Sequence, residues 1–263
     1  MNTWLAGGFL ALAALATVTA AFFFVATRGT LMLRALSPGS LNDKSHVYPI
    51  YSDMRLIKLV DWQPIISAIL LFQYNRLVSQ LIVELGRLDL HQRRVMITSC
   101  AFGNVIPRVV AAAVQGGAGR VLIADIIDNE LIHARSKLGD YASQVDMVED
   151  DATALNQGDG TVAANVIFFL LHELPHPLKA KALAEAGRTI APGGKLLLAE
   201  FHRPNLLVLR ALSWTYFKVF EPLGLALWDS HDPVKLLQDM GGWQVQRTTC
   251  CFGNFQVISA TKL

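Results

Sequence analysis

The chain has 263 residues, with 23 lysines and arginines against 21 aspartates and glutamates and a formal net charge of +2. This near-neutral balance excludes the strongly basic surface of a nucleic-acid-binding protein, so we expect no nucleic-acid partner. The apolar fraction of 52% is high, and the excess is concentrated locally. The three cysteines, Cys100, Cys250 and Cys251, are odd in number and include an adjacent pair, which excludes a disulfide framework and indicates a reducing compartment.

The N-terminal segment is the first predicted element. Residues 1–27 carry no charged side chain, and the stretch from Trp4 to Val25 is long enough to cross the ~30 Å hydrocarbon layer as a helix. Arg28 and Arg34 follow, and positive charge favours a cytoplasmic location for that end. We therefore predict that residues 1–30 anchor the protein in the inner (cytoplasmic) membrane, with the remaining chain facing the cytoplasm. A cleaved signal peptide and a helix packed on the protein are the alternatives.

Residues 31–90 form a second predicted unit, which is helical. Apolar residues recur at helical spacing from Leu56 to Leu88, and Pro64 interrupts the pattern. The spacing predicts one or two helices that lie over the main domain or on the bilayer.

Residues 91–263 alternate between strand and helix signals. Short apolar strands that alternate with helices predict an α/β fold, a doubly wound, mostly parallel sheet of seven strands. The predicted strands are 94–99, 120–125, 145–149, 163–170, 195–201, 243–250 and 254–261. The predicted helices are 104–115, 128–138, 178–190 and 233–240.

An insertion from Arg203 to Asp232 interrupts this alternation. It is rich in leucine and aromatic residues, with Arg210, Lys218 and Glu221 between them. Such amphipathic segments are typical of a membrane interface or of an apolar substrate tunnel. Ordinary cover over the core is the alternative interpretation.

The first glycine loop of a nucleotide-binding α/β domain is expected at residues 93–104, but its motif has changed. Such a loop reads acid-x-Gly-x-Gly-x-Gly, whereas here Ile97 stands at the acid position and only the last glycine remains. Small residues let the backbone approach a ligand, and the following helix N-terminus favours negative charge. We predict that the loop binds a cofactor through Ser99, Ala101, Gly103 and Asn104. The changed motif argues against an ordinary activity for this fold.

Two acids follow the next strands. Asp125 ends a strand roughly 20 residues past the glycine loop, where a carboxylate commonly binds ribose hydroxyls. Asp151 follows the third strand, where an acid can accept a hydrogen bond from an adenine amine. The alternatives are a helix cap for Asp125 and a solvated turn for Asp151.

Histidines and acids follow strands four and five and the insertion, so the predicted topology places them on one rim of the sheet. Imidazole with carboxylate suits Mn²⁺ or Fe²⁺, and the oxygen-rich mixture favours manganese. We predict Glu200, His202 and His231 as metal ligands, and His172, Glu173 and His202 as catalytic residues. His172-Glu-Leu-Pro-His176 also matches the zinc-protease motif H-E-x-x-H, but Pro175 and Pro177 oppose the helix that this motif requires.

Several motifs together resemble the class I S-adenosylmethionine-dependent methyltransferases over residues 91–263. They are Val95 to Asn104, Asp125-Ile-Ile-Asp-Asn-Glu-Leu, Asp151-Ala-Thr-Ala-Leu, Leu170-Leu-His-Glu-Leu-Pro and Arg188-Thr-Ile-Ala-Pro-Gly-Gly-Lys, of which the last is the most specific. Within the quinone-biosynthesis branch, the apolar N-terminus and the loop Thr98-Ser-Cys-Ala-Phe-Gly-Asn-Val are similar to the rhodoquinone biosynthesis family.

The resemblance implies an enzyme that replaces a ring methoxy group of ubiquinone with an amino group. S-adenosylmethionine would then be the amino donor, manganese would assist, and ubiquinone would come from the membrane. Two alternatives remain open: an S-adenosylmethionine-dependent methyltransferase that acts on a quinone or lipid, and a non-catalytic membrane-bound scaffold.

Overall fold

The computed structural model describes residues 54–219 and 221–263, together with the isolated positions Gly7, Ala14 and Thr17. The predicted anchor over residues 1–30 therefore lies outside the described residues apart from those three positions. Among the residues described, no single helix is long and apolar enough to cross a membrane. The helices Gln63–Ile69 and Tyr74–Leu85 satisfy the length and composition test only as a pair, and they meet at 91°.

Between residues 54 and 93 three helices precede the sheet, where one or two were predicted. They are α1 (Met54–Val60), α2 (Gln63–Ile69) and α3 (Tyr74–Leu85). Pro64 lies in the first turn of α2, where its missing amide hydrogen costs nothing, so it starts that helix rather than kinking a longer one. Leu71 and Phe72 both have positive φ angles, and they turn the chain into α3.

Helix α3 is amphipathic and fastens this segment to the body. Its buried residues recur at helical spacing, namely Tyr74, Leu77, Val78, Leu81 and Leu85. Their burial draws α3 against the sheet, where it contacts β5 and β7 as well as the first helix of the body. Polar contacts add to this packing: Oε2 of Glu84 accepts hydrogen bonds from Nζ of Lys195 at 2.8 Å and from Oγ of Ser259 at 2.9 Å.

The body is a seven-stranded sheet, as the sequence predicted, and the strand order is β3-β2-β1-β4-β5-β7-β6. The strands are β1 (Arg94–Thr98), β2 (Arg120–Asp125), β3 (Val145–Glu149), β4 (Val162–Phe168), β5 (Ile190–Phe201), β6 (Trp243–Cys250) and β7 (Phe255–Lys262). The first five are mutually parallel, and β7 runs antiparallel between β5 and β6. The chain order reverses at β1 and β4, so the ligand crevice lies at the carboxyl ends of these two strands.

Helices cover both faces of the sheet. They are α4 (Val105–Gln115), α5 (Asp128–Ser136), α6 (His176–Thr189), α7 (Leu207–Val219) and α8 (Pro233–Met240), with short 3-10 helices at Gly139–Gln144 and Pro222–Trp228. Side chains alternate along each strand, so Val95 and Ile97 of β1 belong to one core while Met96 belongs to the other. Burial on both faces explains why the central strands read as continuous apolar runs.

Strand β5 starts at Ile190, five residues before its predicted start, because the Pro-Gly-Gly segment is part of the strand. A side chain at Gly194 would place its Cβ 2.6 Å from the carbonyl oxygen of Ala163. The register of β4 and β5 shifts at this point, between Val162 and Ala164. Glycine is therefore required by the close approach of the two backbones.

Candidate active site

The glycine loop leaves the carboxyl end of β1 at the predicted place. Ser99 and Gly103 have φ angles of 78° and 81°, so both take the left-handed conformation. The Asp125 carboxylate holds the loop from β2, because it accepts a hydrogen bond from the Cys100 amide at 2.5 Å and another from the Ile127 amide at 2.9 Å. Burial raises the pKa of Asp125, although these amide hydrogen bonds oppose the effect. Ser99 and Ala101 are half-buried, and Asn104 is exposed just before α4.

Asp61, which the sequence analysis missed, holds the other end of the loop. One carboxylate oxygen accepts hydrogen bonds from the Gly103 amide at 2.6 Å and from Nζ of Lys137 at 2.8 Å. Its second oxygen lies 3.0 Å from Nε2 of His133. The hydroxyl of Tyr74 lies so close to Gly103 that a Cβ there would be 2.5 Å from it. The helical segment that precedes the sheet is thus part of the loop's environment.

Glu130, in the first turn of α5, was also missed. It is only 3% exposed, and its Oε1 makes no hydrogen bond to any residue that the structure describes. Burial, helped by the nearby Asp125, Glu173 and Asp61 and opposed by Lys137, raises the pKa of Glu130 to about 9. Burial likewise raises the pKa of the Cys100 thiol far above its usual range, so Cys100 is a neutral thiol.

Two aspartates follow β3, of which Asp150 is buried and Asp151 is exposed. Asp150 is buried and accepts hydrogen bonds from the backbone and the side-chain amide of Asn156. Asp151 is exposed, and its Oδ1 accepts from the amide and the hydroxyl of Thr153. Asp151 therefore stands at the crevice edge on a turn that the side chain itself stabilises, and its second oxygen is available to a ligand.

His172 and Glu200 form a buried ion pair at the carboxyl ends of β4 and β5. Nδ1 of His172 lies 3.1 Å from Oε1 of Glu200, which also accepts a hydrogen bond from the Phe201 amide at 2.8 Å. Burial lowers the pKa of His172, but the Glu200 charge and hydrogen bond, helped by Glu173 and Glu221, raise it to about 9. The ring is consequently an imidazolium at neutral pH, with Nε2 3.6 Å from Oε1 of Glu173.

Two more ionisable residues, both missed by the sequence analysis, border this pair. Burial raises the pKa of Glu221 to about 8, so a proton on that carboxyl is gained or lost near neutral pH. Burial lowers the pKa of Lys179 to about 8, and its Nζ donates to the carbonyl oxygens of Leu171 and Leu174. Positive and negative side chains are therefore buried together here, an arrangement that is common at catalytic sites. They are His172, Glu200, Glu221 and Lys179.

Aromatic rings surround the His172–Glu200 pair. Phe201 packs edge-on against His172 at 5.0 Å between ring centroids, and it contacts Phe169 and Phe217 at 4.9 Å each. Trp228 closes the far side against Phe217. We call these rings, Phe169, Phe201, Phe217 and Trp228, the aromatic cluster. Helix α7 and the 3-10 helix at Pro222–Trp228 contribute two of the four, so the insertion builds one wall of the site.

The structure does not bring the three predicted metal ligands together. Glu200 is committed to His172, whereas Nδ1 of His202 lies 2.6 Å from the carbonyl oxygen of Gly253 and its Nε2 faces Arg247. His231 stacks on His176 instead. Nowhere in the described part of the chain do three or more histidines, cysteines or acids form a group that could hold a metal ion. These donors do not fit a manganese site, so we derive no step through a metal.

The H-E-x-x-H match has no helix to support it. His172 lies in a turn, and α6 starts only at His176, with Pro177 in its first turn. The two histidines therefore do not share one helix face, as the prolines predicted.

The crevice fits S-adenosylmethionine in its donors and acceptors. Asp125 ends β2, where a carboxylate commonly binds ribose hydroxyls, and Asp151 follows β3, where an acid can accept a hydrogen bond from an adenine amine. The N-terminus of α4 offers amides to a carboxylate. The orphaned Oε1 of Glu130 adds a buried polar atom that a ligand would satisfy. Bound there, this cofactor supplies an activated group for transfer, while the protein's residues hold and orient it.

Comparisons with known proteins agree with this geometry. The model of the ubiE/COQ5 methyltransferase family matches residues 63–241. A ubiquinone/menaquinone biosynthesis C-methyltransferase of Ectopseudomonas mendocina is 36% identical over 114 residues, which are 43% of this chain and 44% of that protein. Its counterpart from Roseobacter denitrificans is 30% identical over 126 residues, or 47% and 50% of the two chains. The matched region thus spans about half the length of these curated relatives.

Solved structures share the fold. An S-adenosylmethionine-dependent methyltransferase from Aquifex aeolicus superposes with a TM-score of 0.56 at 18% identity, over 80% of this chain and 99% of that one. Magnesium protoporphyrin IX methyltransferase from Synechocystis PCC 6803 gives a TM-score of 0.54 at 17% identity, over 72% and 84% of the two chains. The fold is that of the S-adenosylmethionine-dependent methyltransferases, and because the family model spans most of the sequence, this chain belongs to the ubiE/COQ5 methyltransferase family.

Proposed function

We propose that the protein is an S-adenosylmethionine-dependent transferase that modifies a quinone dissolved in the membrane. Specifically, it replaces a ring methoxy group of ubiquinone with an amino group taken from the cofactor, which yields rhodoquinone. The observation that carries the choice of amino transfer is Ile97, a core residue with 4% exposure at the position where the loop normally has an acid.

The loss of this acid favours a nucleophilic nitrogen. The loop acid ordinarily helps to hold the cofactor's ammonium group, and an opposite charge nearby stabilises the charged form of an amine. With isoleucine at that position the ammonium loses one anionic partner, so its proton leaves more readily. A free amine is the species that can add to an electron-poor quinone ring.

The aromatic cluster and the His172–Glu200 pair suit the other substrate. A flat quinone ring packs against aromatic side chains, and the imidazolium of His172 is a hydrogen-bond donor to a carbonyl oxygen that gains negative charge. The amine forms a bond to the ring carbon, methoxide leaves from that carbon, and the proton of the amine goes to the methoxide. Water would complete the transfer: its hydroxyl would go to the cofactor's α-carbon and its proton to the nitrogen as that carbon–nitrogen bond breaks, so that the amino group stays on the quinone.

The surface of α7, which borders the aromatic cluster, supports the proposal of a substrate that is dissolved in the membrane. Large apolar residues are exposed on and beside α7, namely Leu206, Leu207, Val208, Leu212 and Trp214. The helix has no acidic residue, and Lys218 lies over the Trp214 ring at 5.5 Å. Aromatic and basic residues together are typical of helices that lie at a membrane interface. We propose that α7 and the predicted anchor place the site at the inner membrane, on its cytoplasmic side.

Carbon methylation of a quinone is the second candidate, and the family membership is the observation that favours it. The relatives named above are quinone-biosynthesis C-methyltransferases, in which the cofactor donates a methyl group. In that case His172 and Glu200 would handle the proton that leaves the ring.

A labelling experiment separates these candidates. The full chain is incubated with ubiquinone and with cofactor labelled in either its amino nitrogen or its methyl carbon, with and without Mn²⁺, and the quinone is weighed by mass spectrometry. Amino transfer puts the nitrogen label into the quinone and removes a methoxy group. Methyl label in the quinone would replace the proposal with methyl transfer, and an unmodified quinone under all conditions would favour the non-catalytic scaffold.

A further inference from the structure

Glu130 is buried near the glycine loop, and the proposed reaction gives it no role. It lies five residues after Asp125, in the first turn of α5. Its Oε1 is inaccessible to solvent and makes no hydrogen bond within the described residues. Buried polar atoms almost always have a partner, so an orphaned oxygen beside a ligand crevice points to a ligand contact.

The surroundings of Glu130 place it against the glycine loop. The charged groups near its carboxyl come from several elements: Asp125 at the end of β2, Lys137 after α5, Glu173 after β4 and Asp61 after α1. Cys100, in the loop itself, is close enough for Glu130 to affect its pKa.

The neighbouring carboxylates on the loop already have donors. Asp125 accepts from two backbone amides, and Asp61 accepts from the Gly103 amide and from Lys137. Glu130 thus brings an uncommitted carboxyl oxygen to the same loop.

We propose that Glu130 contacts the cofactor and shares a single proton with the α-amino group of S-adenosylmethionine. This inference rests on the proposed use of that cofactor. An ordinary loop acid would be a carboxylate that keeps the amino group charged, and Ile97 cannot do this. Glu130 lies near the same loop from α5 and holds its own proton much more tightly than such an acid, so it would compete for the amine's proton instead of leaving it on the nitrogen.

The proton balance follows from the two pKa values. Glu130, with a pKa of about 9, carries a proton at neutral pH in the free protein. An α-amino group has a pKa of roughly 8 and also arrives protonated. Two protons cannot both stay between one carboxyl oxygen and one nitrogen, so one proton leaves to water as the cofactor binds. The remaining proton moves between nitrogen and oxygen, and when it is on the oxygen the amine is free to react.

Calorimetry of cofactor binding tests this proposal. S-adenosylmethionine is titrated into the full chain near neutral pH in buffers that differ in ionisation enthalpy, which counts the protons released. We expect close to one proton per cofactor, and a binding constant that increases up to about tenfold per pH unit between about pH 6 and pH 7.5. Glu130→Gln should lose both effects, whereas Asp128→Asn, an exposed acid in the same turn, should keep them.

Two ligands identify the group that shares the proton, and they need no variant. S-adenosylhomocysteine keeps the amino group but lacks the sulfonium charge, so it should also release a proton. 5′-Methylthioadenosine lacks the whole amino-acid end and should release none. Proton release with S-adenosylmethionine alone would assign Glu130 to the sulfonium and overturn the proposal.

Failure of this inference is distinguishable from failure of the proposed function. Binding of the cofactor without proton release, or unchanged release in Glu130→Gln, overturns the role of Glu130 and leaves the proposed transferase standing. Absence of any cofactor binding by the wild-type chain overturns both.

Discussion

Ile97 is the residue on which the choice between amino and methyl transfer depends. Replacement by aspartate restores the loop acid, which stabilises the ammonium form and thereby lowers the fraction of free amine. We expect the rate of quinone amination by Ile97→Asp to fall by about tenfold, which is the effect of a shift of roughly one unit in the pKa of the amine. The measurement is the initial rate of quinone amination followed by mass spectrometry.

The control for this change is Ile97→Asn. It buries a polar group of similar size at the same place, so it carries the same packing defect without the charge. Equal loss of amination in both variants would mean that packing, and not the restored acid, matters. Unchanged turnover in Ile97→Asp would remove the argument from the lost acid.

His172 makes the stability of the protein depend on pH. Its pKa in the folded protein, about 9, is above the ordinary value of 6.5, so the folded state binds the proton more tightly. The stabilisation is fully present below about pH 6.5 and is lost as the pH rises through about 9, with a size of roughly 3 kcal/mol.

Urea denaturation of the wild type and of His172→Gln measures the part of the stability that depends on the charge of His172. The wild type should lose more free energy of unfolding than the variant between pH 6.5 and pH 9.5, because glutamine cannot carry the charge. Glu130, Lys179 and Glu221 also titrate in this range. The difference between the two proteins removes the contributions of Glu130 and Lys179, and it retains the part of the Glu221 titration that depends on the His172 charge. Parallel pH profiles for the two proteins would contradict the assignment.

The site residues that sequence could predict are those at strand ends. Asp125, His172 and Glu200 follow buried apolar runs, and parallel strands bring their carboxyl ends to one edge. Asp61 lies 42 residues before Gly103 in the chain, and no local pattern indicates that contact. Glu130 has the sequence pattern of a charge in a first helical turn, which is usually solvated, so only the packing shows that it is buried.

The three predicted metal ligands point apart for a related reason. Topology places Glu200, His202 and His231 on one rim, but it does not give the direction of the side chains. The structure turns His202 toward Gly253 and Arg247, and it pairs His231 with His176. Shared location on a rim is therefore a weaker indication of ligation than shared direction.

Helix α7 presents an exposed apolar face beside the site, and we expect that face to bind a lipid bilayer. Leu207 and Leu212 are 73% and 63% exposed. The double variant Leu207→Glu/Leu212→Glu puts two negative charges on this face, which opposes insertion among lipid chains and repels anionic headgroups. We expect a chain lacking residues 1–30 to lose most of its co-sedimentation with anionic liposomes on this change.

The matched control is Val83→Glu/Ile132→Glu. Both residues are more than half exposed, and they lie on α3 and α5, so the added charge is identical while α7 is untouched. Equal loss of liposome binding in the two double variants would show that net charge, rather than the α7 face, decides the association.

The positions of the strands could be predicted from the sequence, whereas the start of β5 and the boundaries of the helices before the sheet could not. All seven strands were expected within a few residues, because short apolar runs between turn residues are distinctive. The start of β5 was missed because Pro-Gly-Gly is usually a turn, and only its close approach to β4 makes it part of a strand. Residues 54–85 form three helices because Pro64 starts α2 and because Leu71 and Phe72, between α2 and α3, adopt positive φ angles that their residue types do not indicate.

The whole protein should be held at the membrane in two ways. The predicted anchor over residues 1–30 would resist extraction with high salt or alkali, because its attachment is hydrophobic. A chain that starts after residue 30 keeps only α7, whose basic and apolar contacts weaken with salt. Fractionation of cells that express each form should find the full chain in alkali-washed membranes and the shorter chain released. Release of the full chain by salt alone would contradict the anchor.

The contacts of Asp61 with Gly103 and Lys137 limit how this protein can be divided into parts. Trimming the chain to its sheet and surrounding helices would remove the carboxylate that restrains the loop, and it would uncover the apolar surface beneath Tyr74 and its neighbours. The helices before the sheet are therefore part of the folded domain and cannot be removed without affecting the glycine loop. A fusion of this domain to another membrane anchor would have to keep the chain from residue 54 onward. A shorter fusion would lack the Asp61 contacts that restrain the glycine loop.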